Sequence, residues 1–380
     1  MTNRVVNLAT NLSPIVKWPG GKEKELEYII PNSPNFERFF EPFVGGGSVF
    51  MGIRANQYYI NDLSSELITL YSSIATIDDA FFKYAEAIDK SWENVVAFFE
   101  SHTILVDTYI RYRNGMLGNE ELKRFIHAFC ENNQKGILDI LSTDLQELPC
   151  ALMKEIEVNL QRKMQRMREL ESTMHELPNK DLYDNIETAI KSAVYMNFRY
   201  LYNNKDITIN YPKLHCALFF FIRNYAYSGM FRYSSKGGFN VPYGGIAYNG
   251  KSLATKLNYY RSDVVQNHFA NTQIFNMDFE DFLRAMQPKE NDFVFLDPPY
   301  DSEFSTYAQN SFTKEDQRRL ANYMINECKA KWMLVIKNTD FIYSLYNKGS
   351  VNIRSFDKKY KVNFMNRNNK KVKHLLITNY

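Results

Sequence analysis

Cysteine is scarce and scattered in this 380-residue chain: Cys130, Cys150, Cys216 and Cys328 lie far apart. They form no CxxC and have no nearby histidine pair, so neither a zinc site nor a disulfide framework is supported. A reducing cytosol fits such a chain best. Long apolar runs are missing as well. The most apolar stretch, around 217–222, falls far short of the ~20 residues that a membrane span needs. The opening MTNRVVNLATNLSP lacks the apolar core of a signal peptide. The expectation is a soluble, intracellular protein with no membrane partner. Net charge is nearly absent, because 46 Lys plus Arg against 43 Asp plus Glu leave only +3, which excludes a histone-like polycation. What the chain has in excess is aromatic rings: 3 Trp, 26 Tyr and 28 Phe supply 15% of the residues. That is ample material for a core, and it excludes intrinsic disorder. At roughly 100–200 residues per domain, two domains are expected.

Short apolar or aromatic runs that end in an acid or a Gly/Pro cluster read as strands. They fall at Arg38 to Glu41, Tyr58 to Asp62, Gln273 to Met277, Phe293 to Leu296, Trp332 to Ile336 and Leu375 to Thr378. Gly45-Gly46-Gly47-Ser48 follows the first run and leads into a helix, the opening unit of a doubly wound sheet. Ser64 or Ser65 suits the cap of a helix to about Ile74, and Thr313 to Lys329 reads as another. Between them, from about residue 77 to 217, helical periodicity prevails. Met153, Ile156, Leu160, Met164 and Met167 recur at three- and four-residue steps and are expected to face a core. Residues 219–245 then switch to aromatic segments broken by Ser228-Gly229, the 234–238 glycine turn and Pro242, which is hairpin chemistry. The expected fold is α/β, with a discontinuous sheet domain at 10–75 and 255–380 and a mainly helical inserted domain at 76–254.

Two constellations carry chemistry. A tight strand-to-helix turn is one reading of the glycine loop. The other is a cradle for a nucleoside cofactor whose ribose hydroxyls donate to Asp62 at the next strand end, a spacing shared by NAD and S-adenosylmethionine folds. A complete GxGxxG is lacking, since Val49-Phe50 follows Ser48, which disfavours a dinucleotide oxidoreductase. Nor is Lys17 to Lys22 a phosphate loop: Val16 and Glu23 occupy the required Gly and Ser/Thr positions. The most specific signal is Asp297-Pro298-Pro299-Tyr300 directly after a buried-looking strand. Two prolines fix φ and restrict the residue before them, so an acid, a carbonyl and an aromatic face are held rigidly together. That set complements a planar exocyclic amine: two acceptors take its two hydrogens, and the ring stacks on the base.

Seven segments in order, KWPGGK (17–22), EPFVGGGSVF (41–50), YYINDLSSELI (58–68), RNYAYSGMFRY (223–233), GGFNVPYG (237–244), DPPY (297–300) and NSFTKEDQ (310–317), make the chain resemble the Dam-type, D12 class of DNA adenine-N6 methyltransferases. The resemblance implies a Rossmann-like, S-adenosylmethionine-dependent sheet with a target-recognition domain inserted in it. It places Trp18, Lys22, Glu41, Phe43, Gly45, Gly47, Asp62, Asp278 and Asp297 around the methyl donor. It gives Asp297, Pro298, Pro299 and Tyr300 to catalysis on a flipped adenine, with no metal. Lys17, Tyr227, Met230, Arg232, Asn240 and Pro242 would contact double-stranded DNA, with Tyr227 wedging into the stack and Arg232 reading a guanine. A GATC or GAT-containing site follows, although Gly245 stands where family members often carry a basic residue. The family further implies action in the cytoplasm of a bacterium, from a bacterial or phage gene, a cognate restriction endonuclease as an optional partner, and a monomer or weak dimer. The extra helical segment at about 90–190 has no counterpart in shorter members.

Two readings stay beside this one. Methyl transfer to another planar amine, an RNA adenine or a protein glutamine, uses the same tetrad, while a non-catalytic DNA-binding module would have lost the tetrad or Asp62. At 354–373, eight basic side chains against one acid suggest either phosphate contact or a solvated loop.

Overall fold

A computed structural model describes residues 9–300, 312–359 and 371–380. Its described residues form two compact units, one from Met1–Thr76 and Tyr260–Tyr380, the other from Ile77–Tyr259.

The first unit is built on a seven-stranded sheet of order β3-β2-β1-β4-β5-β7-β6. The strands are β1 Arg38–Glu41, β2 Gln57–Asn61, β3 Thr272–Phe275, β4 Phe293–Leu296, β5 Lys331–Lys337, β6 Asn352–Lys359 and β7 Lys371–Thr378. β1 to β5 pair in parallel, whereas β7 and β6 run antiparallel at one side. Parallel strands need both faces covered, and the sequence supplies apolar residues for both. All four residues of β4 are buried, as are Trp332 to Ile336 of β5. On one face Phe40, Val294, Leu296, Trp332 and Leu334 pack with Phe282, Leu320 and Met324 from flanking helices.

The expected sheet strands all form, with ends shifted by at most four residues, and one further strand joins them. β6 is unanticipated, because its alternating Asn-Ile-Arg-Ser-Phe pattern offers too few apolar residues to be told from a solvated loop. The basic run at 354–373 therefore begins and ends in strands, while Lys361, Arg367 and Lys370 fall outside the described residues. Within it, Arg354 donates from Nη1 to Asn32 Oδ1 at 3.0 Å.

β1 is the pivot of this topology. From it the chain moves outward through β2 to β3, then returns to pair β4 on its other side and continues to β5. Loops leaving the carboxyl ends of β1 and β4 diverge at such a reversal and leave a crevice, the place where open α/β sheets hold ligands. Asn61 at the end of β2 ties together the segments that leave β1 and β3. Its side chain, 1% exposed, donates to the carbonyls of Pro42 and Met277, both at 3.0 Å, and accepts from the Met277 N–H at 3.0 Å.

The second unit is helical, its longest members being Asp79–Glu100, Leu152–Thr173, Asn179–Asn203 and Pro212–Tyr225. In Leu152–Thr173 the buried stripe is Leu152, Ile156, Leu160, Met164 and Met167, so Leu152 takes the place expected for Met153, which is only half-buried. Phe219 to Phe221 also differ from expectation. They belong to a helix that runs to Tyr225, because Pro212 starts it and nearly every residue from Cys216 to Ile222 is buried on some side. Hairpin chemistry after it appears only as isolated antiparallel bridges, Ala226 to Tyr243 and Tyr233 to Phe239, around a short 3-10 turn at Tyr227–Gly229.

No helix among the described residues is long and apolar enough to cross a membrane. Replacing Asn61 with Ala removes three hydrogen bonds to buried and half-buried backbone groups and should lower folding stability by about 2–4 kcal/mol. Asn61→Asp should cost at least as much, since an oxygen would then face two carbonyls. Denaturant unfolding followed by tryptophan fluorescence checks both; an unchanged midpoint would contradict the assignment.

Candidate active site

The loop after β1 is set by glycine stereochemistry. Gly45 and Gly47 have φ of 49° and 76°, in the region L side chains avoid. A Cβ on Gly46 would come within 2.4 Å of the Val16 carbonyl, and one on Gly47 within 2.4 Å of the Tyr71 hydroxyl. The Gly45 peptide is held from both sides. Its N–H donates to Asp62 Oδ2 at 3.0 Å, and its carbonyl accepts from the Tyr71 hydroxyl at 3.0 Å. Asp62 Oδ1 accepts from the Ser64 N–H at 2.9 Å, so this carboxylate organises the loop with both oxygens. Burial raises its pKa, opposed by the N–H groups of Ser64, Gly45 and Leu63. Trp18 lies against the same turn, its ring where a Gly45 side chain would otherwise stand. Tyr71 gives no signal of this role in the sequence, since a tyrosine on the apolar face of a helix reads as packing.

Glu41 ends β1 and is 2% exposed, with Oε2 unpaired. Desolvation, followed by the charge of Asp297, pushes its carboxyl well above the ordinary range, against the Phe50 N–H and the Lys22 ammonium. A protonated Glu41 is a donor as well as an acceptor. Phe43 closes this side of the crevice, its ring 5.4 Å from Phe279 and 5.6 Å from Phe312.

Asp297 to Tyr300 leaves β4 on the other side of the reversal. The Lys22 ammonium, 2% exposed, forms an ion pair with Asp297 and donates to the Gly20 carbonyl at 3.0 Å and the Tyr300 hydroxyl at 3.3 Å. It also lies 5.5 Å from the Tyr300 ring centroid. The hydroxyl is further approached by Nε2 of the buried His374 at 3.3 Å. Gln317 Nε2 donates to the Pro299 carbonyl at 2.9 Å. His374 and Gln317 escape sequence reasoning: a lone histidine in a strand and a lone glutamine in a helix have no local pattern.

Structure thus brings Trp18, Lys22, Glu41, Phe43, the glycine loop, Asp62 and Asp297 to Tyr300 to the carboxyl edge of one sheet. Asp278 sits at that edge too, but its carboxylate is engaged. It caps the helix Phe279–Met286 through the Glu280 N–H at 2.9 Å and pairs with Arg319 at 2.7 Å. Lys17 is exposed. The donor and acceptor set, with its buried unpaired Glu41 oxygen, suits a polar nucleoside beside aromatic rings. No group of metal-ligating side chains occurs among the described residues.

In the second unit, residues 226–249 carry the other predicted contacts. Helix Asn179–Asn203 holds this segment by its backbone: Val241 O accepts from the Tyr195 hydroxyl at 3.0 Å and Arg199 Nη1 at 3.1 Å, and Asn203 bonds both backbone groups of Phe239. Arg223, 1% exposed, stacks 4.3 Å from the Phe231 centroid, and burial lowers its pKa to about 10. Tyr227 and Pro242 face solvent, with the Tyr227 N–H on the Pro242 carbonyl at 2.9 Å, and Met230 is half-buried. Exposed Arg232 donates from Nε to Asn240 Oδ1 at 2.8 Å and from Nη2 to the Asn240 carbonyl at 3.5 Å, so Asn240 holds one edge of the guanidinium.

Comparison with known proteins gives the same direction as this geometry. Type II methyltransferase M.CviBI of Paramecium bursaria Chlorella virus NC1A is 26% identical over 355 residues, 92% of either chain. Type II methyltransferase M1.LlaDCHI of Lactococcus lactis subsp. cremoris is 24% identical over 318 residues, 82% of this chain and 75% of the relative. DNA adenine methylase of Escherichia coli K12 is 23% identical over 330 residues, 86% of this chain and 80% of the relative. The family model for D12 class N6 adenine-specific DNA methyltransferase matches residues 18–125 and 127–362, nearly the whole chain. The chain therefore belongs to the D12 class of N6 adenine-specific DNA methyltransferases.

Proposed function

We propose that the protein transfers a methyl group from S-adenosylmethionine to N6 of an adenine extruded from duplex DNA, at GATC or another GAT-containing site. The arrangement of Asp297 to Tyr300, braced by Lys22 at the sheet's reversal, carries this reading. When bound, the donor supplies an electrophilic methyl on a sulfonium. Trp18, Glu41, Phe43, Gly45, Gly47 and Asp62 would hold its nucleoside, and Asp278 would contribute only by exchanging its bond to Arg319.

The Asp297 carboxylate and the Pro298 carbonyl accept the two amino hydrogens. Conjugation of the nitrogen with the ring is thereby weakened and its lone pair freed for in-line attack, while Tyr300 stacks on the base. No covalent intermediate on the protein is required. Catalysis comes from positioning and from acceptors fixed before the reaction. Extruding the base costs a few kcal/mol, which stacking and hydrogen bonds in the pocket offset.

The first unit is the catalytic domain in this reading and the second the target-recognition domain. Tyr227 enters the base stack, Met230 and Pro242 touch a thymine methyl, and Arg232 reads guanine O6 and N7 by exchanging its longer bond to the Asn240 carbonyl. Lys17 contacts a further guanine. Relatives named type II methyltransferases favour a restriction-modification setting with a partner endonuclease, and the relatives from Lactococcus lactis and Escherichia coli favour a bacterial cytoplasm.

Asp297→Ala should lower methyl transfer at least ~10²–10³-fold, as removing an aligned charge-stabilising group does, while S-adenosylmethionine affinity by calorimetry stays nearly native. Turnover at the native rate would remove Asp297 from the mechanism. Arg232→Ala should relax the choice at one guanine by about 1–3 kcal/mol. If modified-base sequencing instead shows equal weakening in every context, Arg232 contacts only phosphate.

A further inference from the structure

We propose that Gln317 is the positioning residue of the Asp297–Tyr300 tetrad, an inference that rests on reading this tetrad as the adenine site. Gln317 is 0% exposed, and its Nε2 donates to the Pro299 carbonyl at 2.9 Å. Its Oε1 is buried with no hydrogen-bond partner. Leaving such an acceptor unpaired costs about 1–3 kcal/mol. A methionine of the same length would fill this space without an unpaired oxygen, so packing alone does not explain an amide here.

What the amide does follows from proline geometry. The rings of Pro298 and Pro299 fix φ, so ψ is the one soft torsion left at each. ψ of Pro299 sets the direction of its carbonyl and, through the rigid peptide, the position from which Tyr300 departs. A hydrogen bond to that carbonyl fixes this torsion. The phenol end of Tyr300 is held independently by Lys22 and His374, both at 3.3 Å. Tyr300 is therefore constrained at its backbone and at its hydroxyl, and its ring keeps one place relative to the acceptors of Asp297 and Pro298.

Gln317 can serve as a fixed post only if its helix does not move, and Lys314–Asn326 is firmly anchored. Thr313 Oγ1 accepts from the Asp316 N–H at 3.2 Å while Asp316 accepts from the Thr313 N–H at 2.8 Å, a reciprocal cap. One turn on, Arg319 ties the helix to Asp278 at 2.7 Å and Glu280 at 2.9 Å. The engagement of Asp278 thus has a use: it secures the helix that carries Gln317. Through this helix the segment after β3, bonded to Arg319, is connected to the loop after β4, bonded to Gln317.

Two substitutions separate positioning from mere structure. Gln317→Met removes the donor at similar volume, and kcat should fall roughly 10–100-fold, the scale of a small misplacement near reacting groups. The S-adenosylmethionine dissociation constant should remain within about twofold. Gln317→Glu retains a donor only while its acid is protonated, and a fully buried carboxyl is neutral well above the ordinary carboxylate range. Its rate relative to the native enzyme should therefore start high and fall as pH rises through roughly 6–9. A pH-independent ratio for Gln317→Glu, or native kcat in Gln317→Met, would overturn the proposal. If Gln317→Met does not fold, the pH series decides alone. Asp297→Asn measured alongside tells the two levels apart: native turnover there defeats the tetrad reading itself. Loss there with native kcat in Gln317→Met defeats only the role of Gln317.

Discussion

A lysine ammonium that is 2% exposed meets one carboxylate, and the crevice is organised around that pair. Lys22 and Asp297 stand 275 positions apart, so their contact joins the segment before β1 to the loop after β4. Withdrawing two charges from water costs several kcal/mol per ion, and apolar replacements for such pairs are often neutral or stabilising. Persistence of this pair is better explained by what it holds. The same ammonium reaches the Gly20 carbonyl and the Tyr300 hydroxyl, so one fixed cation sets the acid, the aromatic ring and the 18–22 turn relative to one another. Glu41, close enough to feel both charges, is driven toward its neutral form by burial and by the charge of Asp297. Carboxyls with such different surroundings are suited to different tasks.

The two units handle rigidity differently. In the first, site residues hang on strand ends whose register is enforced by neighbours, and Asn61 ties together the segments that leave β1 and β3, so side-chain placement follows from the sheet. In the second, residues 226–249 have almost no ladder of their own. Their backbone groups are captured one at a time by Tyr195, Arg199 and Asn203 of a long helix. Such a segment accommodates changes in its exposed tips, Tyr227, Arg232 and Pro242, without disturbing the scaffold below. Exposed side chains on a fixed support suit the DNA contacts proposed for them.

Much of the catalytic sheet was legible in the sequence because parallel strands buried on both faces make short apolar runs with sharp ends. β1 and β4 begin and end where the residue pattern says they do. The glycine loop, Asp62 and the tetrad were legible for a related reason: glycine, proline and a terminal acid each have one backbone consequence. β6 was hidden because an edge strand alternates too weakly, and the helix through Phe219 to Tyr225 because an all-apolar run has no period to read. Tyr71, His374 and Gln317 were invisible for a deeper reason. Each contributes one polar atom to a loop distant in sequence, which only the folded topology brings near.

Incubation with S-adenosylmethionine labelled on its methyl group and methylation-free duplex DNA, followed by modified-base sequencing, tests the central claim most directly. The account predicts label in DNA as N6-methyladenine, confined to adenines in one short GAT-containing context. Label in no adenine of any context, or label on RNA or protein instead, would contradict it.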